Sequence, residues 1–102
     1  MSNYYESDDL KKFADIGQHA KALADDFFQY YGNVTGTDGA LSRREKALIA
    51  LAVSHAQKCP YCIDAYTTQC LETGANPEQM MEAVHVAAVM QAGITLVHSV
   101  QM

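Results

Sequence analysis

The chain has 102 residues, 49% of them hydrophobic, and a net charge of -5. That suffices for one domain with its own core, near the size at which sharing buried surface with another copy helps. The acidic balance excludes the basic surface that phosphate backbones require, so no nucleic acid partner is expected; no secretory leader and no apolar run near the roughly 20 residues of a bilayer span are read, which makes the expectation a cytoplasmic protein with no membrane partner.

From Asp8 to Tyr31, Leu10, Phe13, Ile16, Ala20, Leu23 and Phe27 recur every three or four residues between charged positions, which predicts one long amphipathic helix. Asp8 or Asp9 caps its start, and Gly32 ends it in the left-handed conformation. The stretch 32–39, with three glycines and small polar residues, reads as a surface loop. Residues 1–40 therefore form an N-terminal helix and loop, and 41–102 a helical core carrying the cysteine pair, together one structural domain.

Ser42 and Glu45 have the spacing of a capping box. The helix they open runs to about Ala56 and is apolar on most faces (Leu48, Ile49, Leu51, Val53), which predicts a central position. Pro60 then breaks the chain: proline suits the first helical position and pushes the residue before it toward extended geometry, so Cys59 becomes the N-cap of a new helix. That helix reaches about Thr73 and stops at Gly74. Asn76, Pro77 and Gln79 repeat the same start signals for a helix containing Met80, Met81, Val84 and Met90, which Gly93 is expected to interrupt before Ile94 to Val100. No strand pattern competes. The expectation is an all-α, single-domain bundle of about five to six helices.

Three cysteines, two of them separated by two residues, do not suit a secreted disulfide framework; in a reducing compartment such a pair reads as redox or metal chemistry. The thiolate is the reactive form, and the unsatisfied N–H groups and positive dipole end of a helix start favour an anion on Cys59 or Cys62. The spacing puts both sulfurs within one turn, so they can join in a disulfide without unfolding the helix. His55, four residues before Cys59, is a candidate proton acceptor. Cys-Pro-Tyr-Cys is also the glutaredoxin tetrapeptide, but that motif follows a strand in a βαβ unit, whereas here a buried helix precedes it.

The run from Glu45 through His55-Ala-Gln-Lys-Cys-Pro-Tyr-Cys62 to Tyr66, continuing at Gly74-Ala-Asn-Pro-Glu-Gln-Met-Met-Glu-Ala83, resembles the core of the carboxymuconolactone decarboxylase superfamily in its alkylhydroperoxidase D-like branch. It looks closest to the small peroxidase-like members associated with arsenosugar biosynthesis. The resemblance covers about residues 41 to 100. It implies an alkylhydroperoxidase D-like all-α fold, assembly as a homo-oligomer (trimer or hexamer), and thiol-dependent reduction of small hydroperoxides. In that scheme Cys62 attacks the peroxide, Cys59 resolves the sulfenic acid into a disulfide, and a dithiol donor, lipoyl or thioredoxin-like, resets it. No cofactor or metal is called for. Two positions depart from the family's proton relay. Its glutamate falls on Ala47, and its histidine, four residues after the second cysteine, falls on Tyr66. Glu45 is about 200° around the helix from position 47 and is occupied as a cap, so His55 and Tyr66 become the replacement candidates.

Zinc is the main rival, with His55, Cys59 and Cys62 as ligands and a fourth from His85, Asp64 or another chain, although structural zinc sites usually show two ligand pairs. Purely structural packing of the thiols is a further alternative, as is a decarboxylase or lactone-type activity, which needs no cysteine pair. Cys70 reads as a small buried hydrophobe, His85 as a core or interface histidine, His19 and His98 as surface or packing residues, and Tyr4, Tyr5, Tyr30 and Tyr31 as aromatics available to a neighbouring subunit.

Overall fold

The computed structural model describes residues 6–102, so Tyr4 and Tyr5 lie outside the described residues. Among these, a 3-10 segment, Ser7–Gly17, precedes four α-helices: α1 (Lys21–Thr35), α2 (Arg43–Ala56), α3 (Pro60–Glu72) and α4 (Pro77–Val97). A short 3-10 turn, His98–Gln101, follows, and no strand is present among the described residues.

The start signals of the three later helices are realised as read, whereas the first segment is capped by Glu6, whose N–H donates to the Asp9 carboxylate at 3.1 Å, and not by Asp8 or Asp9. The Ser42 hydroxyl accepts the Glu45 N–H at 3.0 Å while the Glu45 carboxylate accepts the Ser42 N–H at 2.8 Å. Asn76 and Gln79 make the same reciprocal pair at 2.8 and 3.0 Å. Two of the four orphan N–H groups at each start are thereby satisfied. Gly74, at φ +94°, turns the chain after α3 in a conformation that glycine alone adopts freely.

Three expectations about helix boundaries are corrected. The long N-terminal helix is broken at residues 18–20, and the 3-10 segment folds back on α1. Gly17 permits the reversal, since a Cβ there would already stand 3.0 Å from the Ala24 Cβ. In a continuous helix Phe13 and Phe27 would be about 21 Å apart; after the reversal their ring centroids are 6.2 Å apart, with Phe28 at 5.1 Å and Tyr31 at 6.1 Å, all edge-on. Edge-on contact among four aromatic rings, two of them partly covered and two still exposed, offsets the helical hydrogen bonds lost at the break. Helix α1 also passes through Gly32 and closes at Gly36, whose amide donates to the Gly32 carbonyl at 2.8 Å; a Cβ at position 36 would meet that same oxygen at 2.8 Å. Gly93 does not interrupt α4, because a glycine inside a helix costs only about 1 kcal/mol and nothing crowds this one into another conformation.

Helix α2 is central, packing on both α3 and α4. The core consists of Ala47, Leu51, Tyr66, Cys70 and Ala75, with Tyr31, Cys62, Met80 and Val84 packed around it. Cys70 is fully buried, as read. The outer faces of α2 and α4 are not covered: Ile49, Val53, Val86, Val89, Met90 and Ile94 are exposed, and no residue of α4 is buried. Contrary to the sequence reading, 77–101 is a helical run long and apolar enough, by length and composition, to cross a membrane; Glu78, Glu82 and His85 disguise its length. The exposed surface is 7826 Å², against about 5,700 Å² for a compact monomer of this mass. The radius of gyration, 16.1 Å, likewise exceeds the roughly 13 Å expected.

Candidate functional site

The turn between α2 and α3 sets the sulfurs in place. Lys58 sits at φ 55°, a left-handed conformation without a glycine, and the Cys59 amide donates back to the Ser54 carbonyl at 3.0 Å. This closes α2 and reverses the chain, leaving Cys59 extended (φ -96°, ψ 104°) as the N-cap of α3 with Pro60 in the first turn. The Cys59 Sγ accepts the Cys62 backbone N–H at 3.4 Å, and the two sulfurs are 3.1 Å apart. Both are half-buried thiols.

Their environments differ. Once Cys59 ionises, the Cys62 S–H and the backbone N–H groups of Cys62 and Tyr61 stabilise the thiolate, and its pKa is lowered. Cys62 is more enclosed: burial first, then the hydrogen bond and charge of Cys59, push it up to about 11. The Ser54 hydroxyl, 4% exposed and donating to the Ala50 carbonyl at 2.6 Å, also contacts the Cys62 sulfur and pulls weakly the other way. Of the two thiols, Cys59 is therefore the one that ionises first, with Cys62 keeping its proton longer.

The sulfurs open onto a cavity of about 500 Å³. Its far wall is the 3-10 segment, through Leu10, Phe13 and Ile16, and its near wall is α3, through Tyr61, Ala65 and Tyr66. Tyr31 enters from α1, and its hydroxyl is hydrogen-bonded to that of Tyr66. Lys12 and Asp9 stand at the mouth, ion-paired at 2.9 Å. The Lys12 side chain is largely in solvent, whereas Asp9 is mostly covered.

The structure thus brings together three of the four residues read as site candidates: Cys59, Cys62 and Tyr66. His55 stands in the last turn of α2, outside the cavity lining. Ala47, where the family's glutamate would fall, is 2% exposed and sealed into the core beside Tyr66. Among the described residues no three His, Cys, Asp or Glu side chains gather as metal ligands, so the zinc set of His55, Cys59, Cys62 and His85 or Asp64 is not assembled. His85, read as a core or interface histidine, is exposed in the chain, as are His19 and His98. Tyr31 and Ser54 were not singled out as site residues from the sequence. A serine within the apolar run 47–53 and its continuation was a usable signal, since a buried hydroxyl needs a partner. Tyr31 gave none, being 35 residues from its partner.

The chain is 43% identical over 91 residues, 87% of its own length and 82% of the relative's, to "Uncharacterized protein 4 in cox locus" of Paracoccus denitrificans. No solved structure matches it. Residues 21–102 match the carboxymuconolactone decarboxylase family, and since that stretch holds α1 to α4 and both thiols, the protein belongs to this family.

Proposed function

We propose that the protein is a thiol-dependent oxidoreductase of the alkylhydroperoxidase-like kind, reducing small hydroperoxides through a dithiol–disulfide cycle between Cys59 and Cys62. The observation that carries the reading is the pair of sulfurs 3.1 Å apart at a helix start, facing a cavity of about 500 Å³. A disulfide needs about 2.05 Å, so roughly 1 Å of side-chain movement closes it.

The Cys59 thiolate takes the Cys62 proton across the short gap. The Cys62 thiolate attacks the terminal peroxide oxygen; an S–O bond forms, the O–O bond breaks, and the departing alkoxide takes up a proton, drawn in the end from solvent, to leave as the alcohol. The Cys59 sulfur then attacks Cys62, an S–S bond forms, and its proton departs with the hydroxyl as water. A dithiol donor, a lipoyl group or a thioredoxin-like protein, restores both thiols by two exchanges. Dithiol and hydroperoxide thus yield disulfide, alcohol and water. This cycle belongs to a reducing compartment, the cytoplasm.

The test is anaerobic mixing of reduced protein with cumene hydroperoxide, reading thiol loss and alcohol formed. Two thiols are expected to disappear per hydroperoxide, and Cys62→Ser to abolish turnover; equal consumption by Cys62→Ser and wild type overturns the reading. The lowered pKa and greater exposure of Cys59 favour one variation, in which Cys59 attacks a disulfide substrate directly. Cys59→Ser then abolishes disulfide reduction while Cys62→Ser retains the first exchange as a mixed disulfide.

The excess surface and the bare face of α4 support assembly with further copies of the chain, as a trimer or hexamer. The excess of about 2,000 Å² per chain suits extensive permanent interfaces. Light scattering of the purified protein without detergent tests this: a stable monomer, or a protein that stays dispersed only in micelles, overturns it.

A further inference from the structure

The peroxide step leaves an alkoxide, which departs well only if something protonates it. The cavity offers few donors. His55 is not in its lining. The Lys12 ammonium is bound to Asp9 at the mouth and lies mostly in solvent. The family positions that would carry a carboxylate and an imidazole hold Ala47 and Tyr66. Of the three phenols in the wall, Tyr61 is exposed, whereas Tyr31 and Tyr66 are packed into the core and joined hydroxyl to hydroxyl across 35 residues of sequence.

Within such a pair one hydroxyl donates to the other, and the accepting phenol keeps its own O–H for a third atom. Tyr66 follows Cys62 by four residues, which places both side chains on one face of α3 with Cβ atoms about 5–6 Å apart. Its ring is buried and fixed against Ala47 and Leu51, so the hydroxyl is held where the ring points. Tyr31 reaches it from α1, itself held by edge-on contact with Phe13.

We propose that Tyr66 is the acid that protonates the departing alkoxide, and that Tyr31 is a positioning residue that holds the Tyr66 hydroxyl and steadies the charge left on it. The assignment rests on the peroxide-reducing reading above. In the step, the Cys62 thiolate forms its bond to the terminal oxygen, the O–O pair goes to the inner oxygen, and that oxygen takes the Tyr66 proton. The products are the sulfenic acid, the alcohol and a Tyr66 phenolate, which accepts a hydrogen bond from Tyr31 until solvent returns a proton. A phenol is a far stronger acid than an aliphatic alcohol, so proton transfer from a phenol to an alkoxide runs downhill. Burial, the Tyr66 hydroxyl, and the negative charges of Tyr66 and Cys62 all push the ionisation of Tyr31 upward, so it stays a donor throughout.

The experiment compares two oxidants that share the S–O bond-forming step and differ in leaving group. tert-Butyl hydroperoxide expels an alkoxide that needs a proton; perbenzoic acid expels a carboxylate that does not. Single-turnover oxidation of reduced protein is measured for wild type, Tyr66→Phe and Tyr31→Phe, each corrected by the same variant carrying Cys62→Ser. Tyr66→Phe is expected to slow the hydroperoxide about 100-fold and Tyr31→Phe about tenfold, with perbenzoic acid slowed less than about threefold in both. Equal slowing of both oxidants would mean that the phenols only shape the cavity and overturns the assignment, as does an unchanged hydroperoxide rate in Tyr66→Phe. A wild type that reduces neither oxidant overturns the peroxide reading and the assignment together.

Discussion

Deleting either sulfur separates the two thiols electrostatically. In Cys62→Ala the Cys59 thiolate loses the S–H that reaches it across 3.1 Å and keeps the backbone N–H at 3.4 Å. A hydrogen bond to a charged group contributes about 1.5–3 kcal/mol and one pKa unit is 1.36 kcal/mol, so the lost donor corresponds to about one to two units. The half-open site puts the loss near the lower end of that range, so the Cys59 pKa is expected to rise measurably. In Cys59→Ala the reverse holds: Cys62, pushed up to about 11, loses the neighbour's hydrogen bond and charge and falls by about one unit, with burial still keeping it high. The assay is the rate of iodoacetamide alkylation against pH, resolved by peptide mass spectrometry so that Cys70 does not interfere. In wild type Cys59 is expected to remain reactive below the ordinary thiol midpoint of about 8.5, losing reactivity as pH falls through its lowered value, while Cys62 gains reactivity only toward pH 11. Alkylation of Cys62 ahead of Cys59, or a Cys59 midpoint that does not move in Cys62→Ala, would refute the account of the pair.

Three further outcomes test the frame around the site. Leu51→Ala, at a position 2% exposed beneath the thiols, is expected to lose about 2–5 kcal/mol in urea unfolding; less than about 1 kcal/mol would mean the core lies elsewhere. Lys58→Gly relieves the left-handed strain before Cys59 and is expected to stabilise by about 1 kcal/mol, read as a higher urea midpoint at constant slope; an unchanged or lower midpoint contradicts the turn geometry. Phe13→Ala removes edge-on ring contacts worth about 0.5–1.5 kcal/mol each, so amide exchange in 7–17 and alkylation of the pair should both quicken several-fold, and an unchanged exchange pattern argues against the clasp.

What was legible in the sequence was local. Ser42 with Glu45, Cys59 with Pro60, and Asn76 with Pro77 and Gln79 each satisfy backbone groups within one turn, so neighbouring residues suffice to place three helix starts and the sulfurs with them. The reversal at 18–20 was not legible, because the apolar spacing continues unchanged across it and only the tight approach of Gly17 to Ala24 marks the fold-back. Gly32 and Gly93 misled for a related reason: a glycine tolerates a helix interior at modest cost, and nothing beside it in sequence tells whether packing covers that cost. The phenol pair and the bare face of α4 are both products of tertiary arrangement. Tyr31 resembles any aromatic on an amphipathic helix until α3 is laid beside it, and the apolar positions of α4 read alike whether this chain or another covers them.

The cavity has walls from two parts of the chain. The sulfurs and both phenols lie in the stretch common to the family, which starts at residue 21, whereas Leu10, Phe13 and Ile16 precede it. Kin that retain the chemistry but exchange the first twenty residues would present the same sulfurs beneath a different ceiling. Selectivity among oxidants and reactivity toward them can then drift apart over evolution, and a chimera carrying a foreign leading segment is where the two inherit separately.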